Sequence, residues 1–534
     1  MKREIIGKGT WIDKLASTII KREKDIGRSS ELILVESGLG ASGFPHIGSL
    51  GDAVRAYGVA LAIKNLGYDS KLIAYSDDLD GLRKIPSGLP DWLSDYIGKP
   101  VFDIPDPIGQ CHDSYGAHMS SLLLDALDRL GVDCKFLNAA KVYGNGMLTN
   151  QIDMILSHAP NIGNKIEEIV GQSKYKESLP YFPICESCGR LYVAHAEKYI
   201  REEKKVSYIC NGTKLGNNDV KGCGYTGEIP ISAGKGKLAW KVEFAARWSA
   251  LDIRFEAYGK DIMDSVRVND WVSDFVLHYA HPLHVKYEMF LDKGGKKISK
   301  STGNVLTPQV WLRYGTPQSL LLLLFKRITG TRQVGTDDIP TLMEEYDIYE
   351  DIYFGKKKED NEEKLVKTKG LYEYVNHLNT DKPLQHVPYM LVVQQASFFS
   401  GADRIKKIFD RLVKYKVATE LTFDLEQKIQ LACNWSDDHI STEKFALVLT
   451  AKEKIIIKKI LESLEAAKSE SDLDPEKIQQ MIYETSKENE EQPKKIFKLM
   501  YKMLINADSG PRLGGYISDL GLNRIHSILD SYVS

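Results

Sequence analysis

The 534-residue sequence predicts an α/β core, interrupted by a cysteine-bearing insertion and followed by an all-α C-terminal region. Three observations support this fold class. An apolar run, a glycine-rich turn and a helical pattern follow one another between Leu32 and Leu66. Four cysteines fall between positions 185 and 223, and the pattern from Pro308 onward is mostly helical. Because the chain is too long for one hydrophobic core, several domains are expected.

The first predicted elements are a strand, a turn and a helix. The strand covers residues 32–35, the turn 38–43 and the helix 47–66. Glycine lets the backbone approach a ligand closely, and the amides at a helix start favour an anion such as phosphate. At that start, His46 can donate a hydrogen bond to negative charge that develops on a phosphate during reaction. Local capping of the helix by His46 is the alternative.

A second motif, Lys297 to Ser301, lies between two glycine-containing stretches. Its context is typical of a loop that closes on a triphosphate and opens to release pyrophosphate. Lys297 and Lys300 would act there as compact charges on mobile stems. A solvated lysine-rich turn is the alternative. The segment 45–49 comes first along the chain and the lysine motif follows after a long insertion. That order predicts that the two motifs form opposite halves of one ATP site.

The formal charge is close to zero, with 71 Lys and Arg against 73 Asp and Glu. The chain therefore lacks a bulk basic field for nucleic acid, although a local basic track would be enough to bind one. The longest apolar block, residues 320–325, is far shorter than a membrane span, and the N-terminus lacks the hydrophobic region of a signal peptide. We therefore expect a cytoplasmic enzyme without a membrane partner.

Four of the seven cysteines are predicted to hold one zinc ion: Cys185, Cys188, Cys210 and Cys223. Glycine follows the second and the fourth of them, and it lets the chain turn so that backbone amides face sulfur. Cys185 and Cys188 would form one zinc knuckle, a short turn that carries two ligands, and Cys210 and Cys223 would form the second. The polar stretch 211–222 is interpreted as a loop inserted into this second knuckle. A reduced, metal-free set of thiols is the alternative.

A second group of metal-binding residue types lies upstream: Asp106, Cys111, His112 and His118. Thiolate, imidazole and carboxylate are all zinc ligands, so the group is a second candidate metal site. The alternative is that His112 and His118 line a substrate cleft or cap a helix without metal.

Several further segments resemble the class I lysyl-tRNA synthetases found mainly in archaea. They are an acidic stretch with Arg-Lys and Pro at 77–86, the segments 237–243, 246–248 and 255–261, and Gly-Pro-Arg-Leu at 510–513. With the His-Ile-Gly and lysine motifs, the resemblance runs nearly end to end. It implies an α/β Rossmann-type class I catalytic domain with a zinc-ribbon-like insertion, followed by an all-α C-terminal domain.

The resemblance and the sequence patterns together divide the chain into five regions. The catalytic domain would comprise residues 1–150 and 240–307, with the mobile lysine loop in the second half. The zinc-ribbon-like insertion would cover 151–239. A helical connector would cover 308–365, ending after the polar run 355–363, and a helical anticodon-binding domain would cover 366–534.

The resemblance also assigns site residues position by position. The catalytic group is His46, Ser49, Lys297 and Lys300. The ATP-binding group is Gly48, Gly259, Asp261 and Ser299. The amino-acid-binding group is Gly38, Gly40, Trp240 and Ile262. The implied cofactors are ATP, Mg²⁺ and Zn²⁺, and the implied partners are lysine and tRNA(Lys).

The implied reaction is ATP-dependent attachment of lysine to tRNA(Lys) through an aminoacyl-adenylate. A lysine pocket needs a carboxylate, because a buried unpaired ammonium is costly. The candidates are Glu36, Asp78, Asp80 and Glu243. Gly40 and Ile262 stand where the family commonly has Thr and His, so a class I synthetase for another amino acid is an alternative. A nucleotidyltransferase-like or RNA-binding paralogue is another.

One stretch of the C-terminal region is strongly basic: Arg404, Lys406, Lys407, Arg411, Lys414 and Lys416. It would either contact the tRNA phosphate backbone or form a solvated helix face.

Overall fold

The computed structural model describes residues 5–216, 218–288, 290–296, 306–380, 382–439, 447–466, 474–505, 508 and 512–533. The chain forms two compact units. The first comprises Met1–Trp311, Leu320–Asp338 and Gly355–Thr380, and the second comprises Leu312–Ser319, Ile339–Phe354 and Asp381–Ser534. Within the described ranges, no helix is long and apolar enough to cross a membrane.

The strands are β1 (Leu32–Leu39), β2 (Asp69–Ser76), β3 (Lys135–Asn138), β4 (Tyr181–Pro183), β5 (Ala194–Ile200), β6 (Lys205–Cys210), β7 (Thr213–Leu215), β8 (Asn218–Val220), β9 (Thr226–Pro230), β10 (Gly236–Leu238), β11 (Ile253–Gly259), β12 (Leu283–Tyr287), β13 (Phe290–Leu291) and β14 (Arg332–Gln333). The helices are α1 (Trp11–Asp25), α2 (Ile47–Asn65), α3 (Tyr115–Arg129), α4 (Ala139–Gly144), α5 (Thr149–Ser157), α6 (Ala159–Val170), α7 (Trp240–Leu251), α8 (Met263–Trp271), α9 (Pro308–Tyr314), α10 (Pro317–Phe325), α11 (Ile339–Tyr353), α12 (Glu362–Val375), α13 (Tyr389–Ala396), α14 (Arg404–Lys414), α15 (Phe423–His439), α16 (Ala451–Glu465), α17 (Pro475–Glu488), α18 (Pro493–Ile505), α19 (Leu513–Leu520) and α20 (Leu522–Val533).

Five strands form one parallel sheet in the order β12-β11-β1-β2-β3. The chain builds outward from β1 to β3 and later returns to the other side of β1 with β11 and β12. The strand order therefore reverses between β1 and β11. In open parallel sheets, a crevice forms at the carboxyl ends of the strands where the order reverses, and ligands bind there. The predicted α/β core is confirmed, and this reversal locates its site.

The central strand β1 and helix α2 form the first half of that crevice. Strand β1 runs to Leu39, past the predicted end at residue 35, so Gly38 lies within the strand and not in the turn. Helix α2 begins at Ile47, as predicted. Close packing of α2 requires glycine at one position, because a Cβ on Gly58 would lie 2.7 Å from Phe325 Cε1.

The insertion consists of antiparallel strands preceded by short helices. Strand β4 pairs with β10 at its base, and β5, β6 and β9 form a three-stranded sheet. The stretch interpreted as an inserted loop contains the hairpin of β7 and β8. The two ends of this hairpin meet, since a Cβ on Gly212 would lie 2.8 Å from the amide nitrogen of Gly222.

Helix α12 belongs to the first unit, although it follows the polar linker. The Tyr374 hydroxyl donates to Asp13 Oδ1 at 2.6 Å, and His377 Nδ1 lies 2.9 Å from the Tyr57 hydroxyl. The first contact is buried and ties α12 to α1, and the second is partly buried and ties the residues just after α12 to α2. The five-region division of the chain stays a prediction.

The second unit is helical. Helices α13 and α15, α16 and α20, and α17 and α19 pack against each other in pairs. Helix α16 shows how the sequence sets such an element: Thr450 and Glu453 form a capping box at its start, and Ile456 and Ile460 are buried on one face. The predicted helical C-terminal region is confirmed.

Candidate active site

A cavity of about 140 Å³ lies at the carboxyl ends of β1 and β11, where the strand order reverses. The structure brings all four predicted amino-acid contacts to its wall: Gly38, Gly40, Trp240 and Ile262. The other lining residues are Leu39, Asp52, Tyr75, Asp77, Phe244, Arg247, Glu256, Ala257, Tyr258, Gly259 and Tyr287. Residues far apart in sequence therefore share one crevice.

Three predicted site residues lie at the start of α2. His46 is the N-cap, and its Nδ1 accepts a hydrogen bond from the Ser49 backbone N–H at 3.1 Å. The ring lies over Gly48, where a Cβ would come within 2.7 Å of His46 Cε1. Capping by Nδ1 means that a neutral ring carries its proton on Nε2. Local capping and hydrogen-bond donation to a ligand are therefore compatible.

Lys297, Ser299 and Lys300 lie outside the described residues. The chain that leads to them is held in a turn, in which the Lys296 N–H donates to Asp292 Oδ1 at 2.8 Å. The chain that follows them is bonded to α2, since the Ile47 N–H donates to the Leu306 carbonyl at 3.0 Å. The downstream flank of the lysine motif is therefore joined to the residue next to His46.

Gly259 and Asp261 lie at the end of β11. Gly259 is the last residue of the strand and lines the cavity, and Asp261 is exposed on the turn that follows. The two residues are close, because a Cβ on Gly259 would lie 2.7 Å from Asp261 Oδ1. Glycine therefore leaves the Asp261 carboxylate room to turn back towards the strand end.

The charged residues of the cavity wall are three carboxylates and one guanidinium: Asp52, Asp77, Glu256 and Arg247. Behind Asp77, the buried Lys237 ammonium donates to both carboxylate oxygens at 2.6 and 2.7 Å. Burial raises the pKa of Asp52 to about 7. The wall therefore carries an excess of acidic groups.

Adjacent strands place two of the acidic residues side by side. Glu36 of β1 is opposite Glu256 of β11, and like charges in that position repel. Arg247 lies between them, with Nη2 2.7 Å from Glu36 Oε1 and 3.5 Å from Glu256 Oε1. Burial nevertheless raises the pKa of Glu36 to about 8, against the lowering effect of Arg247.

The four carboxylates nominated from the sequence are engaged elsewhere and are not part of the lining. Glu36 pairs with Arg247, and Asp78 accepts from the Asn138 side chain and the Ala140 amide. Asp80 accepts from the Tyr192 hydroxyl, and the Lys237 ammonium lies 3.0 Å from Glu243 Oε2.

The acidic lining residues Asp52, Asp77 and Glu256 were not among the carboxylates nominated from the sequence, although the positions of two of them relative to the strands could have indicated them. Asp77 directly follows β2 and Glu256 lies within β11, and these two strands flank β1 in the parallel sheet, beside the crevice.

The four predicted zinc-binding cysteines cluster, with their sulfur atoms all within 4.8 Å of one another. Cys185 Sγ lies 3.6 Å from Cys223 Sγ, and Cys188 Sγ lies 3.8 Å from Cys210 Sγ. A tetrahedral zinc ion with Zn–S bonds of about 2.3 Å has sulfur–sulfur edges of roughly 3.8 Å, so the geometry fits. The Tyr225 backbone amide lowers the pKa of Cys223 to about 6, which favours its thiolate, whereas burial raises the pKa of Cys185 and of Cys210.

The second candidate group also clusters, and its ligand atoms all lie within 4.8 Å of one another. Asp106 is its centre: its carboxylate accepts from the amides of Ile108, Cys111 and His112 at 2.8 to 3.0 Å and lies 3.0 Å from His118 Nδ1. The Cys111 sulfur lies 3.1 Å from His112 Nδ1. The residue types fit zinc, but Asp106 is already satisfied by backbone donors.

Comparisons with known proteins identify the family of this chain. The profile of a family described as "tRNA synthetases class I (K)" matches residues 9–377. The lysine–tRNA ligase of Cenarchaeum symbiosum (strain A) is 50% identical over 98% of this chain and 99% of its own length. The lysine–tRNA ligase of Rickettsia africae (strain ESF-5) is 30% identical over 93% of each chain. A glutamate tRNA ligase structure from Elizabethkingia meningosepticum covers 94% of this chain at 11% identity and a TM-score of 0.31, which is too distant to bear on the site.

Proposed function

This chain belongs to the class I tRNA synthetases of the lysine type, and we propose that lysine and ATP react in its cavity between β1 and β11. The enzyme attaches lysine to tRNA. The lysine carboxylate attacks the α-phosphate of ATP, pyrophosphate leaves, and the adenylate then acylates the terminal adenosine of tRNA. A different amino acid, a nucleotidyltransferase and an RNA-binding paralogue are disfavoured, because the relatives that match nearly the whole chain are lysine–tRNA ligases.

The charge of the cavity wall is the observation that carries the residue assignment. Asp52, Asp77 and Glu256 meet two cations, the guanidinium of Arg247 on the wall and the Lys237 ammonium behind Asp77, so one carboxylate is in excess when all three are ionised. A lysine zwitterion brings two ammonium groups and one carboxylate, so its net positive charge offsets this excess, whereas a neutral amino acid would leave it uncompensated. The indole of Trp240 and the ring of Phe244 would contact the aliphatic stem of the side chain.

The ATP would lie between the start of α2 and the lysine motif. His46 Nε2–H would donate to the α-phosphate, Gly48 and Ser49 would supply the helix start, and Gly259 with Asp261 would receive the ribose. Lys300 is only six residues before Leu306, whose carbonyl is bonded to Ile47 at the start of α2. Because a chain spans at most about 3.5 Å per residue, this short connection keeps the lysine motif near the proposed ATP position. Catalysis would consist of positioning and charge stabilisation, with Mg²⁺ accompanying the triphosphate.

Zinc would be held by Cys185, Cys188, Cys210 and Cys223, giving the insertion a zinc-ribbon-like character. Four thiolates leave no open position on a tetrahedral ion, so this zinc would stabilise the fold and take no part in the reaction. A second metal at Asp106, Cys111, His112 and His118 has weaker support. It would have to share Asp106 with three backbone amides.

The second unit would bind the anticodon region of tRNA. Part of the basic stretch is already paired within the unit, since Arg404 Nη1 lies 2.8 Å from Asp437 Oδ2 and Lys407 Nζ lies 2.9 Å from Asp403 Oδ2. Contact with the phosphate backbone would release counterions and make tRNA binding weaken with salt.

A cytoplasmic location remains a prediction.

The first experiment is pyrophosphate exchange with each of the twenty amino acids, with and without tRNA. We expect exchange with lysine and not with neutral amino acids of similar length. Lys300→Ala should lower the exchange rate far more than it weakens lysine binding. Lys357→Ala, in the exposed lysine-rich linker, is the control. Exchange that depends on another amino acid would overturn the assignment, and an unaltered rate in Lys300→Ala would remove the assigned role of that lysine.

The zinc proposal has a separate test. Metal analysis of the purified protein should find about one zinc ion per chain that is lost in Cys210→Ser, because the remaining three thiols cannot complete the tetrahedron. Cys433→Ser removes a buried cysteine outside both clusters and should keep the zinc. Equal zinc content in the two variants would contradict the proposal.

A further inference from the structure

Tyr192 connects the cysteine-bearing insertion to the acidic stretch that follows β2. Its backbone is left-handed, with φ of 68°, which is uncommon for a residue other than glycine. Its ring packs edge-on against Phe182, with centroids 5.0 Å apart, and over Gly81, where a Cβ would lie 2.7 Å from the ring. The Leu191 N–H donates to the Gly98 carbonyl at 2.7 Å. The Tyr192 ring is therefore fixed in place.

The hydroxyl of Tyr192 contacts two charged side chains. It donates to Asp80 Oδ1 and accepts from Arg83 Nη2 at 2.9 Å. Asp80 Oδ1 also lies 3.4 Å from the same Arg83 nitrogen. Because the carboxylate and the hydroxyl both attract it, the guanidinium is oriented, although 53% of the Arg83 side chain is exposed.

The oriented guanidinium of Arg83 lies between two aromatic rings. It is 4.8 Å from the centroid of the Tyr192 ring and 6.0 Å from the centroid of the Trp240 ring. From the cavity wall, Asp77 Oδ2 accepts a hydrogen bond from the Trp240 indole N–H at 3.1 Å. Trp240 is 40% exposed, so Arg83 and Asp77 restrain the indole from two directions.

We propose that Arg83 is a positioning residue for amino-acid binding: it holds Trp240 at the cavity wall, and Tyr192 of the insertion holds Arg83. The inference rests on the proposed function, which assigns this cavity to lysine. ATP is assigned to the start of α2, to Gly259 and Asp261 and to the lysine motif. Among the described residues, the contacts given above for Arg83, Tyr192 and Trp240 involve none of those ATP positions. Loss of Arg83 should therefore weaken lysine binding and leave ATP binding unchanged. The insertion would thus contribute to substrate binding through Tyr192, in addition to the pairing of its Lys237 with Asp77.

The test is pyrophosphate exchange with separate titrations of lysine and ATP. Arg83→Ala should raise KM for lysine about tenfold, since it removes a cation–π contact and its hydrogen bonds, and should leave KM for ATP and kcat within about twofold. Tyr192→Phe keeps the packed ring and loses only the hydroxyl, so a smaller rise in the same parameter, about threefold, is expected. Arg83→Lys should be intermediate, because it keeps the charge and loses the planar fork.

Arg190→Ala is the matched control. Arg190 lies two residues before Tyr192, but its guanidinium donates to the carbonyls of Ile97 and Asp95 and does not reach Trp240. It should leave both KM values unchanged. Unaltered KM for lysine in Arg83→Ala, or an equal rise in KM for ATP, would overturn the inference. Absence of lysine-dependent exchange in the wild-type protein would instead overturn the proposed function, and the inference with it.

Discussion

Each unit of the molecule contains a network of charged side chains, buried in the first unit and mostly half-buried in the second, and the two networks differ in balance. In the first unit, Lys237 pairs with Asp77 and Glu243, and Arg247 pairs with Glu36 and Glu256, so four carboxylates share two cations. In the second unit, His386 and Lys428 serve three carboxylates: Asp347, Glu350 and Asp351. Carboxyl groups thus outnumber cationic side chains by two in the first network and, with His386 protonated, by one in the second. Burial raises the pKa of Glu36 to about 8, so part of the first excess is protonated near neutral pH.

The networks also differ in what lies beside them. Asp77, Glu256 and Arg247 line the cavity between β1 and β11. In the second network, His386 Nδ1 lies 3.2 Å from Asp347, His386 Nε2 lies 3.1 Å from Glu350, and Lys428 lies 2.8 Å from Asp347. Under the proposed function, the cationic substrate completes the first network, whereas the second network, held by His386 and Lys428, would stabilise the fold.

The largest expected effect comes from neutralising one carboxylate in each network. Asp77→Asn removes the charge that holds Lys237 and faces the cavity, so lysine-dependent exchange should fall by about 100-fold or more, in line with the cost of breaking a buried ion pair. Asp347→Asn breaks a comparable pair with Lys428 and should lower the melting temperature with little change in exchange. Similar exchange rates in the two variants would contradict the assignment of the first network to substrate binding and the second to stability.

The second network should make stability depend on pH. Burial alone would lower the pKa of His386, but Asp347 and Glu350 raise it to about 9. A histidine whose pKa is raised in the folded state stabilises the fold fully below its unfolded pKa of about 6.5, and this stabilisation is lost as the pH rises to about 9. The free energy of unfolding of the wild type should therefore fall by on the order of 2 kcal/mol between these two pH values.

The control for this pH effect is His386→Gln, which cannot titrate. Denaturant unfolding of the variant should show a flatter stability profile from pH 6.5 to 9 than the wild type. Parallel profiles would mean that His386 does not carry the charge that closes the second network.

The smallest effect is expected at Asp52 on the cavity wall. Burial raises the pKa of Asp52 to about 7, so acidification from pH 8 to pH 6 protonates it and reduces the acidic excess that attracts lysine. KM for lysine should rise by up to about tenfold over this range, the ratio of the ionised fractions for a pKa near 7. Asp52→Asn should flatten the profile, and a rise of the same size in that variant would assign the titration to another group.

Sequence patterning was most informative where the governing interactions are local. The start of α2 at Ile47 follows from its cap and its apolar spacing. The cysteines were also predicted to cluster, because short knuckles bring thiols together with little help from the rest of the chain. Strand β1 was predicted too short because its end is polar and small at Ser37 and Gly38, of which Ser37 is buried in the sheet and Gly38 is exposed.

The amino-acid sequence by itself determined the residue types of the site, its two motifs and the class of fold. Only the tertiary structure decided which carboxylates face the cavity, because Asp52, Asp77 and Glu256 come from three different elements that meet through the order and register of parallel strands. It likewise decided that Tyr192 of the insertion supports Arg83, a contact across 109 positions of sequence. Local patterns fix elements, but pairing between distant elements depends on packing that no short segment encodes.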